Sequence, residues 1–266
     1  MSITPEARDK LAGYLRFQRD FGVETVRIAA AALTTPATSG SDPEKRGEPH
    51  DKGRAAAAVP GEVPVAEPGG ESLAAIQAEI GADCQRCKLS QCGRHHIVFG
   101  DGPPHAELVF VGEAPGADED AQGIPFVGRG GQLLNDMIQK GMGLRRQDVY
   151  ICNVAKCRPP GNRTPERDEI AACLPFLWRQ LRALHPRLVV ALGSTAAQAL
   201  HPFKGALASV RGTIHPLRLS SGEGAFETHL VVTYHPAYLL RDPSQKREAW
   251  KDLQLAMGFL GLPGPR

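Results

Sequence analysis

Apolar and polar positions follow two different patterns along residues 72–266. Short apolar runs bounded by turn residues predict strands, and longer segments with apolar side chains at helical spacing predict helices. The predicted strands are residues 107–112, 148–154, 188–193 and 229–233. The predicted helices are residues 73–80, 131–141, 165–184, 195–200 and 244–260.

This alternation of strands and helices favours an α/β fold, with a mostly parallel central sheet flanked by helices on both faces. Thr164 followed by Pro165 is typical of a helix start, so the long helix is predicted to begin there. Ligands of such sheets bind beyond the carboxyl ends of the strands. Glu113 follows the first predicted strand, Asn153 ends the second and His235 follows the last. We therefore expect a functional site at this edge.

The chain before this domain divides into two parts. In residues 1–34, apolar side chains recur at helical spacing after a Thr-Pro start, which predicts a helical N-terminal extension. A single helix of this length is marginal in water, so we expect it to dock on a protein partner. Residues 35–71 contain six Pro and six Gly but no Leu, Ile, Met, Phe, Trp, Tyr or Cys, which predicts a flexible linker.

The charge of the chain at first argues against a nucleic-acid partner. The 266 residues carry 31 Lys or Arg and 29 Asp or Glu, a formal charge of +2. A clearly basic domain is the usual signature of nucleic-acid binding. However, residues 170–222 contain six Lys or Arg and no acid. This run is either a solvated basic face or one wall of a groove that faces phosphates.

The cysteines indicate a metal site rather than disulfides. Six cysteines are too few for a disulfide scaffold, and the sequence has neither a signal-peptide pattern nor an apolar segment long enough to cross a membrane. We therefore expect a cytoplasmic protein with no membrane partner. Cys84 and Cys87 form a CxxC in a loop, a common spacing of metal ligands.

Two further cysteines are candidates to complete this metal site. Cys157 follows the second predicted strand and Cys173 lies in the long helix. Four dispersed thiolates suit a [4Fe–4S] cluster at least as well as zinc, and the spacing alone does not choose between them. Cys92 and Cys152 are interpreted as small buried hydrophobic residues.

Three segments carry side chains suited to a flipped nucleic-acid base. Phe126 lies between turn residues, where an aromatic ring either packs in the core or stacks on a planar base. Asn153 presents a donor and an acceptor that match the edge of a pyrimidine, although an Asx turn is the structural alternative. Residues 235–241, HPAYLLR, place paired leucines in a predicted loop. Apolar wedges of this kind enter DNA between base steps.

Four ordered motifs resemble those of the family 4 uracil-DNA glycosylases, the iron–sulfur branch of the uracil-DNA glycosylase superfamily. They are GEAPGADED, GIPFVGRGGQLL, CNVAKCRPPGNRTP and HPAYLLR, and the resemblance covers residues 80–258. It implies a DNA repair hydrolase that flips uracil out of single- or double-stranded DNA and cleaves its N-glycosidic bond. An abasic site remains, without backbone cleavage. We expect the protein to be a monomer.

The resemblance also implies a role for individual residues. Asn153 is expected to hydrogen-bond the uracil edge, Phe126 to stack on the ring, and His235 to donate to the uracil carbonyl oxygen. Glu113 and Glu119 are expected to build the pocket and its water site. The other residues to which the resemblance assigns a role are the activity-affecting Asn162, the pocket residues Ala114, Pro115 and Gly116, the minor-groove residues Leu239, Leu240 and Arg241, and the [4Fe–4S] ligands Cys84, Cys87, Cys157 and Cys173.

The first motif leaves the water-activating group open. The best-known branch of the superfamily has an Asp where this chain has Ala114, so no general base is assigned. Two other functions stay open at this point. One is a non-catalytic iron–sulfur protein of the same fold that binds DNA or associates with a polymerase, since fold does not fix activity. The other is a zinc-stabilised hydrolase of small nucleosides.

Overall fold

The computed structural model describes residues 4–22, 71–221 and 224–263. Except for Glu71, the linker predicted over residues 35–71 lies outside the described residues, as do residues 1–3 and 23–34 of the predicted extension. Within the described part of the chain, no helix is long and apolar enough to cross a membrane.

Five strands form one sheet in the order β2-β1-β3-β5-β4. The strands are β1 (Leu108–Gly112), β2 (Tyr150–Asn153), β3 (Leu188–Leu192), β4 (Ile214–Ser221) and β5 (Gly224–Thr233). The four strands from β2 to β5 in this order are parallel, and β4 pairs antiparallel with β5 at the edge. The mostly parallel α/β fold predicted from the sequence is therefore confirmed.

The helices cover both faces of the sheet. They are α1 (Pro5–Asp20), α2 (Leu73–Ile80), α3 (Ala117–Gln122), α4 (Arg129–Asp136), α5 (Arg167–Leu184), α6 (Ser194–Leu200), α7 (Pro236–Arg241) and α8 (Lys246–Leu260). Successive side chains of a strand point to opposite faces. In β1, Phe110 packs in the cluster that contains Trp250 of α8, whereas Val109 and Val111 pack in the cluster that contains Leu177 of α5. Burial on both faces explains why the strands are apolar runs.

Several predicted boundaries are wrong for local reasons. Strand β4 was not predicted, because polar residues and Pro216 interrupt its pattern, which an edge strand tolerates. Helix α5 begins at Arg167 rather than Pro165, because the Glu169 carboxylate accepts the Glu166 N–H (2.7 Å) and pairs with Arg163. The predicted helix 131–141 is α4 followed by one π-helical turn, Met137–Gly141.

Helix α1 packs on the domain. The Phe17 and Phe21 side chains are buried, and their ring centroids lie 5.1 and 6.4 Å from that of Trp250. Gly141 permits this approach, since a Cβ there would lie 2.8 Å from the Phe17 ring. Thr4 caps the helix, as its start pattern predicts. The apolar face assigned to a protein partner therefore contacts this chain's own last helix.

Candidate active site

The carboxyl ends of β1, β2 and β5 open onto one cavity of about 520 Å³, a volume typical of ligand pockets. Gly112 and Asn153 are register partners at the ends of β1 and β2, and His235 follows β5 two residues beyond Thr233. Ten of the predicted site residues line this cavity: Glu113, Ala114, Pro115, Gly116, Glu119, Phe126, Asn153, Asn162, His235 and Arg241. The edge expected from the sheet topology is where the structure brings them together.

Asn153 presents a polar atom that has no partner. Its side chain is 1% exposed, and within the described residues its Oδ1 accepts no hydrogen bond. A buried acceptor without a donor costs roughly 1–3 kcal/mol, so such an atom indicates a site for a donor from outside. Gly112 makes room for it, since a Cβ there would lie 2.4 Å from Asn153 Oδ1 and 2.5 Å from Phe126 Cζ.

Phe126 is held beside Asn153 in an unusual backbone conformation. Its φ angle is 54°, in the left-handed region that a bulky residue rarely adopts. Helix α4 starts close to it, and a Cβ on Gly131 would lie 2.0 Å from the Phe126 carbonyl carbon. The Phe126 and His235 ring centroids are 5.6 Å apart, with 31° between the planes. Backbone strain of this kind is typical of functional sites.

His235 is a neutral hydrogen-bond donor. Its Nδ1 accepts the N–H of Ala237 (3.1 Å), so the residue caps the N-terminus of α7. Burial, with a smaller effect of the positive charge of Arg241, lowers the pKa of His235 to about 4. A neutral imidazole that accepts through Nδ1 carries its proton on Nε2. The ring can therefore offer one N–H to a group in the cavity.

The two predicted carboxylates are held in different ways. Glu119 Oε1 accepts the N–H groups of Val127 and Gly128 (both 2.9 Å), and its Oε2 accepts that of Gly116 (3.1 Å). Glu119 thus fastens the Phe126 loop to the start of α3. Glu113 Oε2 instead accepts one hydrogen bond from the Thr195 hydroxyl, at 2.5 Å. Glu113 is the better candidate to contact a ligand or water.

The rim of the cavity differs from the predicted loop. Residues 236–241 form α7 rather than a loop, and Leu239 is fully buried in the core, so the structure does not present it to DNA. Leu240 is partly exposed and Arg241 is exposed. Asn162 is exposed in a left-handed conformation, and its Oδ1 accepts from Arg158 Nε (2.7 Å).

Ion pairs account for much of the basic run, which favours the solvated face over a groove that faces phosphates. At least four of its cations pair with acids: Arg179 with Glu71 and Glu79, Arg187 with Glu107, Arg211 with Asp252, and Arg218 with Glu227. The positive charge at the cavity instead comes from Arg129, Arg163 and Arg241.

Thr195 and Arg129 are among the residues of the site that were not predicted from the sequence. Thr195 contacts Glu113 from the start of α6, and Arg129 lines the cavity at the start of α4. Thr195 follows β3, so the rule that places ligands beyond strand ends was a signal that could have found it. Arg129 lies within the quoted motif GIPFVGRGGQLL, where the arginine itself received no role.

A second, smaller cavity brings the four candidate metal ligands together. Cys84, Cys87, Cys157 and Cys173 all line it, and all are free thiols. Burial raises the pKa of Cys87 and Cys173, and it raises that of Cys157 to about 11. Cys152 is buried as predicted, whereas Cys92 is exposed and outside this cavity, which contradicts its interpretation as a core thiol.

The surroundings of these thiols fit an anionic group. Arg94 Nη1 donates to Cys157 Sγ and Arg86 Nη1 to Cys84 Sγ, each at 3.4 Å. Lys156 also lines the cavity, is 2% exposed, and donates to the Asn153 carbonyl (2.8 Å) and to the Gln180 amide oxygen. Among the residues that the structure describes, no carboxylate lines this cavity. In the described residues, no three His, Cys, Asp or Glu side chains are grouped closely enough to hold a single metal ion.

A family model of the uracil DNA glycosylase superfamily matches residues 99–254. The chain is 43% identical over 180 residues to the type-4 uracil-DNA glycosylase of Pyrobaculum aerophilum, which covers 68% of this chain and 91% of the relative. It is 41% identical over 197 residues to that of Thermotoga maritima (73% and 98%). It is 40% identical over 199 residues to that of Archaeoglobus fulgidus (73% and 96%). The chain belongs to the uracil DNA glycosylase superfamily, and within it to the type-4 enzymes.

Proposed function

We propose that this chain excises uracil from DNA by hydrolysing the N-glycosidic bond, which leaves an abasic site for base excision repair. The observation that carries the proposal is the buried Oδ1 of Asn153, which lacks a donor in a cavity that also contains Phe126 and His235. A base inside a duplex is out of reach, so the enzyme must extrude it into this cavity. The same side chains accept a uracil that is already unpaired in single-stranded DNA.

The uracil edge complements the Asn153 amide. Its N3–H supplies the donor that Oδ1 lacks, and its O4 accepts from the amide nitrogen. Cytosine presents the reverse order at these two positions, an acceptor at N3 and a donor at N4. Phe126 stacks on the ring and Ala114, Pro115 and Gly116 form the wall of the pocket. These hydrogen bonds exclude cytosine, whereas thymine completes them as uracil does. Thymine is therefore excluded by the packed wall of the pocket, which leaves no room for its 5-methyl group.

Bond cleavage places negative charge on the leaving base. The C1′–N1 bond breaks with its electron pair on uracil, and a water oxygen bonds to C1′. The proton that this water releases is balanced by the proton that the uracil anion takes up to leave as free uracil. His235 Nε2–H donates to the uracil O2 as this charge develops, and a fixed donor at such a point lowers the barrier. Glu113, held by Thr195, binds the attacking water, while Glu119 acts indirectly by positioning the Phe126 loop. Asn162 lies at the rim, where it contacts the DNA beside the extruded nucleotide.

The cofactor in this proposal is a [4Fe–4S] cluster held by Cys84, Cys87, Cys157 and Cys173. When bound, the cluster supplies a cross-link among the loop after α2, the segment after β2 and helix α5. Arg86, Arg94 and Lys156 offset its negative charge. Residues 72–266 form the catalytic domain of a cytoplasmic monomer, to which 1–34 add an N-terminal extension and 35–71 a linker.

Replacing Cys173 with serine should remove the visible absorbance of the cluster and lower the thermal midpoint of unfolding. Losing a cross-link among three segments costs roughly 3–5 kcal/mol, which corresponds to about 6–20 °C in a domain of this size. Absorbance spectra and thermal melts of the purified holoprotein measure both. The exposed Cys92, changed to serine, is the matched control and should alter neither. Unchanged absorbance in Cys173→Ser would remove Cys173 from the ligand set.

The proposed function is tested with an oligonucleotide that contains one uracil. Incubation followed by alkali should break the strand at that position, and free uracil should appear in the same amount. An oligonucleotide with thymine at the same position should stay intact. Binding without any alkali-labile site would instead support the non-catalytic alternative.

Arg241 should contribute to DNA affinity through the phosphates. It is exposed at the cavity mouth, beside the partly exposed Leu240, which we propose fills the gap left by the extruded base. Changing Arg241 to glutamine should weaken binding to abasic-site DNA by about 3- to 10-fold and reduce the slope of log affinity against log salt by about 1.

The control for this measurement is Arg187→Gln. Arg187 is exposed, pairs with Glu107 and immediately precedes β3. It therefore lies at the amino ends of the parallel strands, whereas the cavity lies at their carboxyl ends. Its loss should leave both the DNA affinity and the salt slope as they are. Equal effects of the two substitutions would show that Arg241 contributes only general charge.

A further inference from the structure

Arg146 does not line the cavity, but it donates hydrogen bonds to the loop that carries Phe126. Its Nη2 donates to the Pro125 carbonyl (2.6 Å) and its Nη1 to the Phe126 carbonyl (3.3 Å). Nη1 also donates to the Asn135 side-chain oxygen (2.9 Å). One guanidinium therefore fixes two successive carbonyls of the loop, together with the helix that follows it.

These carbonyls belong to the strained part of the loop. Phe126 has a φ of 54°, and a left-handed conformation costs a non-glycine residue on the order of 1–3 kcal/mol. Such a conformation persists only when surrounding contacts hold it. Glu119 holds the next two amide groups, those of Val127 and Gly128. Arg146 therefore donates to the carbonyl groups of the turn, and Glu119 accepts from the N–H groups that follow them.

The other side of the guanidinium is tied to the strand that ends in Asn153. Arg146 Nε and Nη2 pair with Asp101 Oδ2 at 3.3 and 3.2 Å. Asp101 exchanges two backbone hydrogen bonds with Ile151 of β2 (2.8 and 2.9 Å), and Asn153 is two residues further along this strand. A short path of polar contacts therefore joins the Phe126 backbone to the strand of Asn153.

We propose that Arg146 is a positioning residue that sets the slot between the Phe126 ring and the Asn153 amide, and so the affinity of the enzyme for the uracil base. This inference rests on the proposed function. Arg146 touches neither base nor DNA: it acts by holding the Pro125 and Phe126 carbonyls against β2. The planar guanidinium of arginine donates to two carbonyls and a carboxylate at once from three nitrogens, whereas lysine donates from one nitrogen only.

The test compares Arg146→Gln with Arg145→Gln in the holoprotein. Arg145 is the adjacent arginine, and it pairs with Asp148 instead of the loop. Arg146→Gln should raise the inhibition constant of free uracil, and lower kcat/KM on uracil-containing DNA, by about 10- to 100-fold, because displacements of about 1 Å in a site cost this much. Affinity for abasic-site DNA should stay within about 3-fold, since no phosphate contact is removed. Arg145→Gln should change none of these quantities.

A structural role alone would give a different result. A lower thermal midpoint with an unchanged inhibition constant for uracil would overturn the inference. Arg146→Lys should recover part of the uracil affinity. If Arg146→Gln does not fold, Asp101→Asn provides the second variant, because it weakens the anchor of the guanidinium while the arginine remains, and it should raise the same inhibition constant. A wild-type protein that fails to excise uracil overturns the proposed function, whereas an active wild type with an unaltered Arg146→Gln variant overturns only this inference.

Discussion

Replacing Asn153 with alanine should lower the single-turnover rate of uracil excision by about 10²–10⁴-fold. The alanine side chain offers neither the acceptor for N3–H nor the donor for O4. Hydrogen bonds to a group that becomes charged contribute roughly 1.5–3 kcal/mol each, and each 1.4 kcal/mol is a factor of ten in rate. The measurement is a single-turnover assay with enzyme in excess over a uracil-containing oligonucleotide.

A second variant separates recognition from packing. Asn153→Asp preserves the size of the side chain but replaces the amide donor with a second acceptor, so it should also lose most of the activity. Both variants should keep the visible absorbance of the proposed cluster, because the Lys156 contact is to the backbone carbonyl of residue 153. Activity near the wild-type level in Asn153→Ala would show that the unpartnered Oδ1 does not bind the base.

Replacing His235 with asparagine should lower the same rate by about 10²–10³-fold, the usual cost of removing one donor at a developing negative charge. Asparagine is a good N-cap and preserves an acceptor for the Ala237 N–H, so α7 should keep its start. Its shorter amide does not place an N–H where the imidazole Nε2–H lies. Affinity for abasic-site DNA should change by less than about 3-fold, because the donor acts in the transition state. A loss of affinity without a loss of rate would contradict the assigned role.

The pH dependence tests whether His235 acts in its neutral form. Its pKa is about 4 in the folded protein, below the usual 6.5, so the imidazole stays neutral down to about pH 5. The rate should show no inflection near pH 6.5. The unfolded chain takes up the proton first as the pH falls from 6.5 to about 4, so His235 should make the free energy of unfolding fall over this window. In His235→Asn this component should be absent, and a rate that falls through pH 6.5 would contradict the neutral donor.

The sequence predicts those elements of the fold whose apolar and polar residues follow a regular pattern over a short stretch of the chain. Strands β1 and β3 are buried on both faces and appear as plain apolar runs. Strand β4 is an edge strand with Pro216, and its polar positions hide it. Leu239 looks like an exposed wedge in sequence, but a helix that starts at Pro236 turns it into the core. The segment is helical because the His235 side chain caps its N-terminus, and the pattern of apolar residues does not predict this cap.

The site likewise contains residues that the sequence predicts and contacts that it does not. The rule for parallel sheets places Asn153 and His235 at one edge, and the structure brings both to the cavity. The choice between a solvated basic face and a phosphate groove for residues 170–222 depends on ion pairs such as Arg179 with Glu71, whose residues are separated by 108 positions. The hydrogen bonds from Arg146 to the Phe126 loop also join residues that are not sequence neighbours, at separations of 20 and 21 positions. Contacts of this kind are a product of the tertiary fold, so local sequence carries no sign of them.

The position of each residue along the chain determines when the side chains of the two cavities become available during synthesis. The four cysteines all precede β3, while the active cavity needs His235, which follows β5. Chains emerge from the ribosome with the N-terminal part first, and pairings between distant strands form late. The nascent chain therefore has its complete set of thiols before the last parallel strand is available. For the proposed [4Fe–4S] cluster, we therefore expect that loading can precede the acquisition of activity.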